Sequence, residues 1–308
     1  MTRHFFITEE NDEGTRLDSY LSALLPDISR SKIQSLIRSG NVCVQGMEKK
    51  PSYCLKQGDK VEIEIFESEE KIIIPPQNIE LDIIYEDENM LVVNKPSGML
   101  THPTVKEREN TLVNALLYKY GEGLSDINGE LRRGILHRLD RNTSGLLMVA
   151  KNNEAHEFLA NQIKNRTAVK KYLAVVKGNF KEDFGTLDFP IGRHPKFPEK
   201  MSVIEGAKPS VTAFKVIERF KEATYLELDL KTGRTHQIRV HLSHIKHPIV
   251  NDMLYGGGGF KIKTQEQVLQ SYKLSFTKPF SSDIIELEIG PDEKIQKVLK
   301  WLKVNSKR

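Results

Sequence analysis

The stretch His137-Arg138-Leu139-Asp140-Arg141-Asn142-Thr143-Ser144-Gly145-Leu146-Leu147 places a lone carboxylate, Asp140, between two arginines. Apolar runs bracket it, Gly134-Ile135-Leu136 before and Leu146 to Ala150 after, so a polar loop between two buried strands is expected. Thr143, Ser144 and Gly145 are turn formers of little bulk. Gly145 can take a positive φ without steric cost, which lets the backbone fold tightly beneath Asp140 and present it at a cleft rim. A surface ion pair is the plainer use of such an aspartate. Other groups could share its chemistry. Tyr172 lies among apolar and basic neighbours in Lys170 to Gly178, where a half-buried packing role is the simplest reading. Arg234 and Arg239 lie in Gly233 to Leu242, where solvated helix-end arginines are the simplest. His236, His241, His244 and His247 fall within twelve residues. No cysteine or close carboxylate completes a metal set and the flanking arginines would repel a cation, so no metal is expected. Gly256 to Gly259 lacks the lysine-serine or lysine-threonine of a phosphate loop and is expected to be flexible.

Elements must hold these side chains in place. Ile79, Leu81 and Ile83 alternate as one strand, and Leu91-Val92-Val93 forms a second running into the turn Asn94 to Gly98. Leu112, Val113, Leu116 and Leu117 predict a helix, as do Ala155, Phe158, Leu159 and Ile163. Val169 to Gly178 is a strand, and Ser210 to Phe220 pairs with Thr224 to Leu230. Ile238, Leu242 and Ile245 have helical spacing up to Pro248, and Ile295, Val298, Leu299 and Leu302 form one stripe of a closing helix.

The 308 residues suffice for one full domain and a small one. With 38% hydrophobic and 29% charged residues and no long apolar run, a soluble, cytoplasmic protein without membrane attachment is expected. Cys43 and Cys54 lack partners for a metal or redox motif and are expected to be buried thiols. A net charge of +4 does not by itself announce a nucleic-acid binder. Locally, however, Arg30 to Lys60 holds seven Lys/Arg against two acids. Thr15-x-x-Asp18 predicts a capping box for a helix carrying Leu17, Tyr20, Leu21, Leu24 and Leu25, ended by Pro26. Ser29 is expected to cap a second helix with Ile33, Leu36 and Ile37 inward and Gly40 at its end. Val42 with Val44, and Val61 with Ile63 and Ile65, predict a small sheet. Glu67 to Gln77 mixes acids with Ile72-Ile73-Ile74 and Pro75-Pro76, a stiff linker that sets the boundary near Ile74. Two domains follow, 1–74 and 75–308.

Arg16-Leu17-Asp18, Ser29-Arg30, Gln34, Ser39-Gly40, Lys50-Pro51 and Gln57-Gly58-Asp59 together resemble the S-four-type RNA-binding domain. That resemblance implies phosphate contacts for Arg30, Lys32 and Arg38. His137-Arg138-Leu139-Asp140 with Thr143-Ser144-Gly145 resembles the signature loop of the RluA-type pseudouridine synthases. Lys170 to Gly178 resembles their second motif, and Gly233 to Leu242 their third without a gap. The resemblance implies that Asp140 is catalytic, that Arg239 pairs with it, and that Tyr172 packs on the target base. It also implies that Arg138 fills the space left by an extruded uridine and that Arg234 faces the substrate backbone. Where many relatives have leucine-histidine-alanine near the C-terminus, this chain has Leu269-Gln270-Ser271-Tyr272.

The implied fold is α+β: a small helix-plus-sheet module, then a mixed, mainly antiparallel sheet flanked by helices around a central cleft. The implied reaction detaches uracil, turns it and rejoins it through carbon, so no cofactor is expected. Asp140 would attack covalently or take a ribose proton. RNA is the expected partner, large-subunit ribosomal RNA before transfer RNA, and the chain is expected to act as a monomer. A noncatalytic RNA-binding protein would explain the first 66 residues but none of the three motifs. Glycoside hydrolysis needs a second carboxylate, and none stands beside Asp140 in sequence.

Overall fold

A computed structural model describes residues 2–26, 28, 30–65, 73–104, 106–262, 264 and 266–305. The chain divides into two compact units, Met1–Ile72 and Ile73–Arg308.

In the first unit, β1 (Thr2–Ile7), β2 (Val42–Val44), β3 (Met47–Glu48) and β4 (Lys60–Ile65) make one sheet in the order β1-β4-β2-β3. The helices α1 (Leu17–Leu24) and α2 (Arg30–Arg38) cover it. Leu17, Leu21, Ile33, Ile37, Val42, Val44, Val61 and Ile63 form its core, as the spacing requires. β1 has no counterpart in the sequence reading: it is an edge strand whose Phe5 and Ile7 stand in solvent, so its apolar residues do not mark a buried face. The expected capping box is absent. α1 begins after Arg16 with no side-chain cap, because Asp18 turns inward and is fully buried among Arg16, Arg30 and Gln34. Ser29 lies outside the described residues. Both cysteines are free, but only Cys43 is partly covered; Cys54 is exposed, the inward place beside it being taken by Leu55.

The second unit is built on nine strands. In chain order they are β5 (Ile83–Glu86), β6 (Met90–Lys95), β7 (Ser144–Ala150), β8 (Val169–Lys177) and β9 (Phe184–Asp188). A separate hairpin, β10 (Ile191–Arg193) with β11 (Met201–Val203), follows. Then come β12 (Val211–Arg219), β13 (Ala223–Leu230), β14 (Leu269–Thr277) and β15 (Ile284–Glu288). Their order is β5-β6-β7-β14-β8-β13-β12-β9, with β15 also on β14. Every pairing is antiparallel except β7 with β14, which touch only at Gln270↔Ser144 and Ser271↔Gly145. Beyond Ser271, β14 pairs with β15 instead. The sheet is therefore joined at its middle by two residue pairs, and a crevice lies ahead of that join, lined by Asp140, Thr143 and Leu269.

Helices α3 (Leu112–Tyr120), α4 (Asn153–Asn165), α5 (Gln237–His244) and α6 (Glu293–Asn305) pack around this sheet. β7 is buried throughout because both its faces are covered: Leu147 and Val149 join the core containing Leu112, Leu116, Ile295 and Val298, while Leu146 and Met148 join Leu159 and Phe276. Three expectations need correction. Gly134 to Leu136 forms no strand beyond a single bridge from Ile135 to Val149, since Gly134 turns the chain with φ +71°. Ile79 and Leu81 precede β5 rather than belong to it. The linker ends early, because Ile74 is buried in the second core and Pro75 and Gln77 bond to Asn114 on α3. Glu67 to Ile72 lie outside the described residues. Among the described residues no helix is long and apolar enough to cross a membrane.

Candidate active site

Asp140 sits in the loop entering β7, where nearly every carbonyl is held. The Leu139 carbonyl accepts from Thr101 Oγ1 at 2.8 Å, and the Asp140 carbonyl accepts from Thr143 N at 3.0 Å. The Arg141 carbonyl accepts from Lys95 Nζ at 3.1 Å and from Gly98 N at 2.9 Å. The Asn142 carbonyl accepts from Ser97 Oγ at 2.8 Å and Lys294 Nζ at 3.1 Å. Lys95 is wholly buried, and its Nζ also donates to the carbonyls of Pro96 and Met99. Burial pulls its amine down to about 7, with the Lys294 charge acting the same way. The loop closes onto β7 at Gly145, whose φ is +112°; a Cβ there would stand 2.0 Å from the Ser271 carbonyl oxygen. The positive φ anticipated for Gly145 serves a second end, allowing β7 and β14 to meet.

Across the crevice, α5 delivers Arg239. Its Nη1 donates to Asp140 Oδ2 at 3.0 Å, while Nε and Nη2 donate to the two oxygens of Asp252 at 2.7 and 2.9 Å. Arg239 is 7% exposed and Asp252 2%, so the fork is fixed in a dry setting. Burial opposes the guanidinium's charge, but the two carboxylates win and hold it above its ordinary range. Only Oδ2 of Asp140 is engaged. Oδ1 accepts no hydrogen bond among the described residues and the side chain keeps 16% of its surface, so one oxygen is left to the crevice.

A second layer steadies Arg239. The Tyr255 ring lies 4.9 Å from its Cζ, and the Tyr255 hydroxyl bonds to His236 Nδ1 at 2.8 Å and accepts from Met201 N. His236 Nε2 is 3.9 Å from Asp140 Oδ2. Burial keeps His236 below its ordinary pKa despite that carboxylate, so at neutral pH the imidazole is uncharged. Gln237 ties the turn before α5 to β12, accepting from Thr232 Oγ1 and donating to the Val211 carbonyl. α5 ends at His244 with Ile245 as its C-terminal cap, and Lys246 then takes a positive φ ahead of Pro248. The glycine run is tied down: Gly257 N donates to the Asp252 carbonyl at 2.7 Å.

Tyr172 is 4% exposed and forms part of the crevice wall with Leu230 and Leu269. Burial and the Asp140 charge push its phenol far up, so it stays protonated. Arg138 and Arg234 are exposed at the mouth, Arg234 donating to the Pro209 carbonyl at 3.3 Å. A narrow pocket of about 50 Å³ over Asp140 adjoins one of about 290 Å³, the two sharing Arg138, Asp140, Tyr172, Leu230 and Arg234. The four histidines go separate ways. His241 bonds to Thr212 and the Phe189 carbonyl, His244 packs on Phe189, and His247 bonds to the Lys177 carbonyl.

The RNA pseudouridylate synthase family model matches residues 89–244, and the S4 domain model matches residues 15–61. The chain is 42% identical over 296 residues to the RNA pseudouridine synthase YlyB of Bacillus subtilis, covering 96% of this chain and 97% of that one. It is 36% identical over 318 residues to ribosomal large subunit pseudouridine synthase D of Xanthomonas campestris, with 98% and 93% covered.

The chain belongs to the RNA pseudouridylate synthase family.

Among solved structures it resembles human RNA pseudouridylate synthase domain containing 1, with a TM-score of 0.57 at 26% identity, covering 75% of this chain and 98% of that one. As a pseudouridine synthase, the second unit brings Asp140, Tyr172, Arg239, Arg138 and Arg234 to one crevice. Arg30, Lys32 and Arg38 lie on α2 of the first unit. Arg30 is already engaged with Asp18 at 3.1 Å and with Ser19, while Arg38 is exposed. The sequence reading missed Asp252, Tyr255 and Lys95. Asp252 was within reach as the sole acid near the glycine run, but nothing local says which arginine it meets.

Proposed function

We propose that this pseudouridine synthase isomerises uridine in large-subunit ribosomal RNA, with Asp140 as the group that meets the ribose or the base. The observation that supports this most is the single engaged oxygen of Asp140. Arg239, clamped from behind by Asp252, holds Oδ2 and keeps the carboxylate oriented while Oδ1 faces the crevice. That free oxygen can attack carbon or accept a ribose proton. A uridine must leave its stack to reach it, and Arg138 at the mouth is placed to enter the gap. The Tyr172 ring lines the crevice, where it can pack on the turned base, and its phenol stays protonated. Asp252 is a second carboxylate, but it is buried and bound at both oxygens by Arg239, so it serves no glycosidase role.

Ribosomal RNA as the substrate rests on the synthase D proteins that the chain resembles end to end and on its S4 domain. A monomer working in the cytoplasm is part of the same proposal, and the two free thiols, Cys43 and Cys54, are in keeping with that reducing compartment. RNA labelled with tritium at uracil carbon five tests the reaction: wild type releases label and Asp140→Asn does not. Mapping pseudouridines in ribosomal and transfer RNA from cells with and without the protein tests the substrate. Sites lost from transfer RNA alone would overturn it.

A further inference from the structure

The larger pocket beside Asp140 carries positive charge that the fold does not answer. Lys170 stands two residues before Tyr172 on β8, hence on the same face of the strand. It is 6% exposed, lines the pocket, and makes no side-chain hydrogen bond or ion pair among the described residues. Arg132 and Arg138 line the same pocket and likewise meet no carboxylate among the described residues. Asp140 is the pocket's one acid, and Arg239 already holds it. His102, 8% exposed, adds a buried Nδ1 with no partner. Burial and the two arginines pull its imidazole down to about 4, so it enters neutral, with an N–H to give.

A buried ammonium without a counter-charge is costly, and its own desolvation already lowers the Lys170 amine. Such an arrangement suits an anion supplied by a ligand. We propose that this pocket is a phosphate subsite in which Lys170, with His102 and Arg132, holds one phosphodiester of the RNA strand adjoining the uridine at Asp140. The proposal rests on the reading of Asp140 as the uridine site. It assigns Lys170 a duty separate from chemistry: to fix the strand's register so that one nucleotide, and not its neighbour, lies over Tyr172.

The test uses the full chain and a short RNA stem-loop with one loop uridine, in which each flanking phosphate in turn is made an uncharged methylphosphonate. In wild type, one position weakens binding about tenfold, as loss of one charge-assisted contact should. In Lys170→Gln the same position has a clearly smaller effect, and the slope of log affinity against log salt falls by about 0.7. Lys170→Arg restores both. Equal responses at all positions, or the same response in both proteins, would overturn the subsite. So would inorganic phosphate displacing RNA from wild type without any positional effect, since the pocket would then take a free anion. Lys170→Met gives an independent reading: its melting temperature rises when no RNA is present. A fall would mean that the ammonium already has its counter-charge in the fold. Label release by wild type on the same RNA is scored separately, so a failed isomerisation leaves the binding arms readable.

Discussion

Arg239 is the residue on which Asp140 depends, and its geometry explains why a guanidinium is needed. One nitrogen pair is spent on Asp252 and the remaining one on Asp140, a division that a single ammonium cannot copy. Arg239→Lys should therefore lower the rate of label release about 10- to 100-fold, about 1.4–2.7 kcal/mol, with the RNA dissociation constant changed far less. Asp252→Ala leaves the buried guanidinium half compensated and should lower stability by about 3–5 kcal/mol. A urea titration followed by circular dichroism checks it. Asp140→Asn keeps the shape and removes the charge, and the expected loss is about a thousandfold or more, about 4 kcal/mol. Comparable single-turnover rates for Asp140→Asn and wild type would remove Asp140 from the chemistry.

The loop before β7 and the helix α5 were legible because each is a continuous string: a turn-rich segment between apolar runs, and apolar residues at helical spacing. What holds the loop was not. Lys95 is a lysine with no surface at all, and a strand-end lysine is ordinarily solvated. Its three carbonyl partners come from Pro96, Met99 and Arg141, two near and one distant, which no spacing announces. Lys95→Met fills the cavity without the donors, so the Arg141 carbonyl loses its ammonium; label release at saturating RNA should fall about tenfold or more while the fold persists. Gly145 makes a sharper case at the join of β7 and β14. Gly145→Ala meets both a positive φ and the Ser271 carbonyl, and should cost about 3 kcal/mol or more. Gly206→Ala, with φ +74° but open space around its Cβ, should cost about 1–2 kcal/mol. Thermal melts of the two variants separate the clash from the dihedral.

At the scale of the molecule, acid acts on each unit through its own buried titratable groups. The first unit centres a polar cluster on Asp18, wholly buried, with Arg16, Arg30 and Gln34 all donating to it. The Arg16 hydrogen bond above all, against the opposing effect of burial, holds the Asp18 carboxyl well below its ordinary range. The unfolded chain then binds the proton more readily than the folded one. The stabilisation is complete above the unfolded pKa of about 4 and is lost as pH falls below it. The second unit rests on the wide apolar core between the sheet and helices α3 and α6, but it has an acid linkage of its own, because burial holds His102, His137, His156, His236 and His241 below their ordinary pKa and each must charge as the pH falls. Lowering the pH from 6 to about 3 should raise hydrogen exchange in α1, α2 and β2 more in wild type than in Asp18→Asn. Asp18→Asn should weaken the first unit at pH 6 and flatten its response to acid. Equal acid sensitivity in wild type and Asp18→Asn would show that the cluster's charge does not carry that unit's stability.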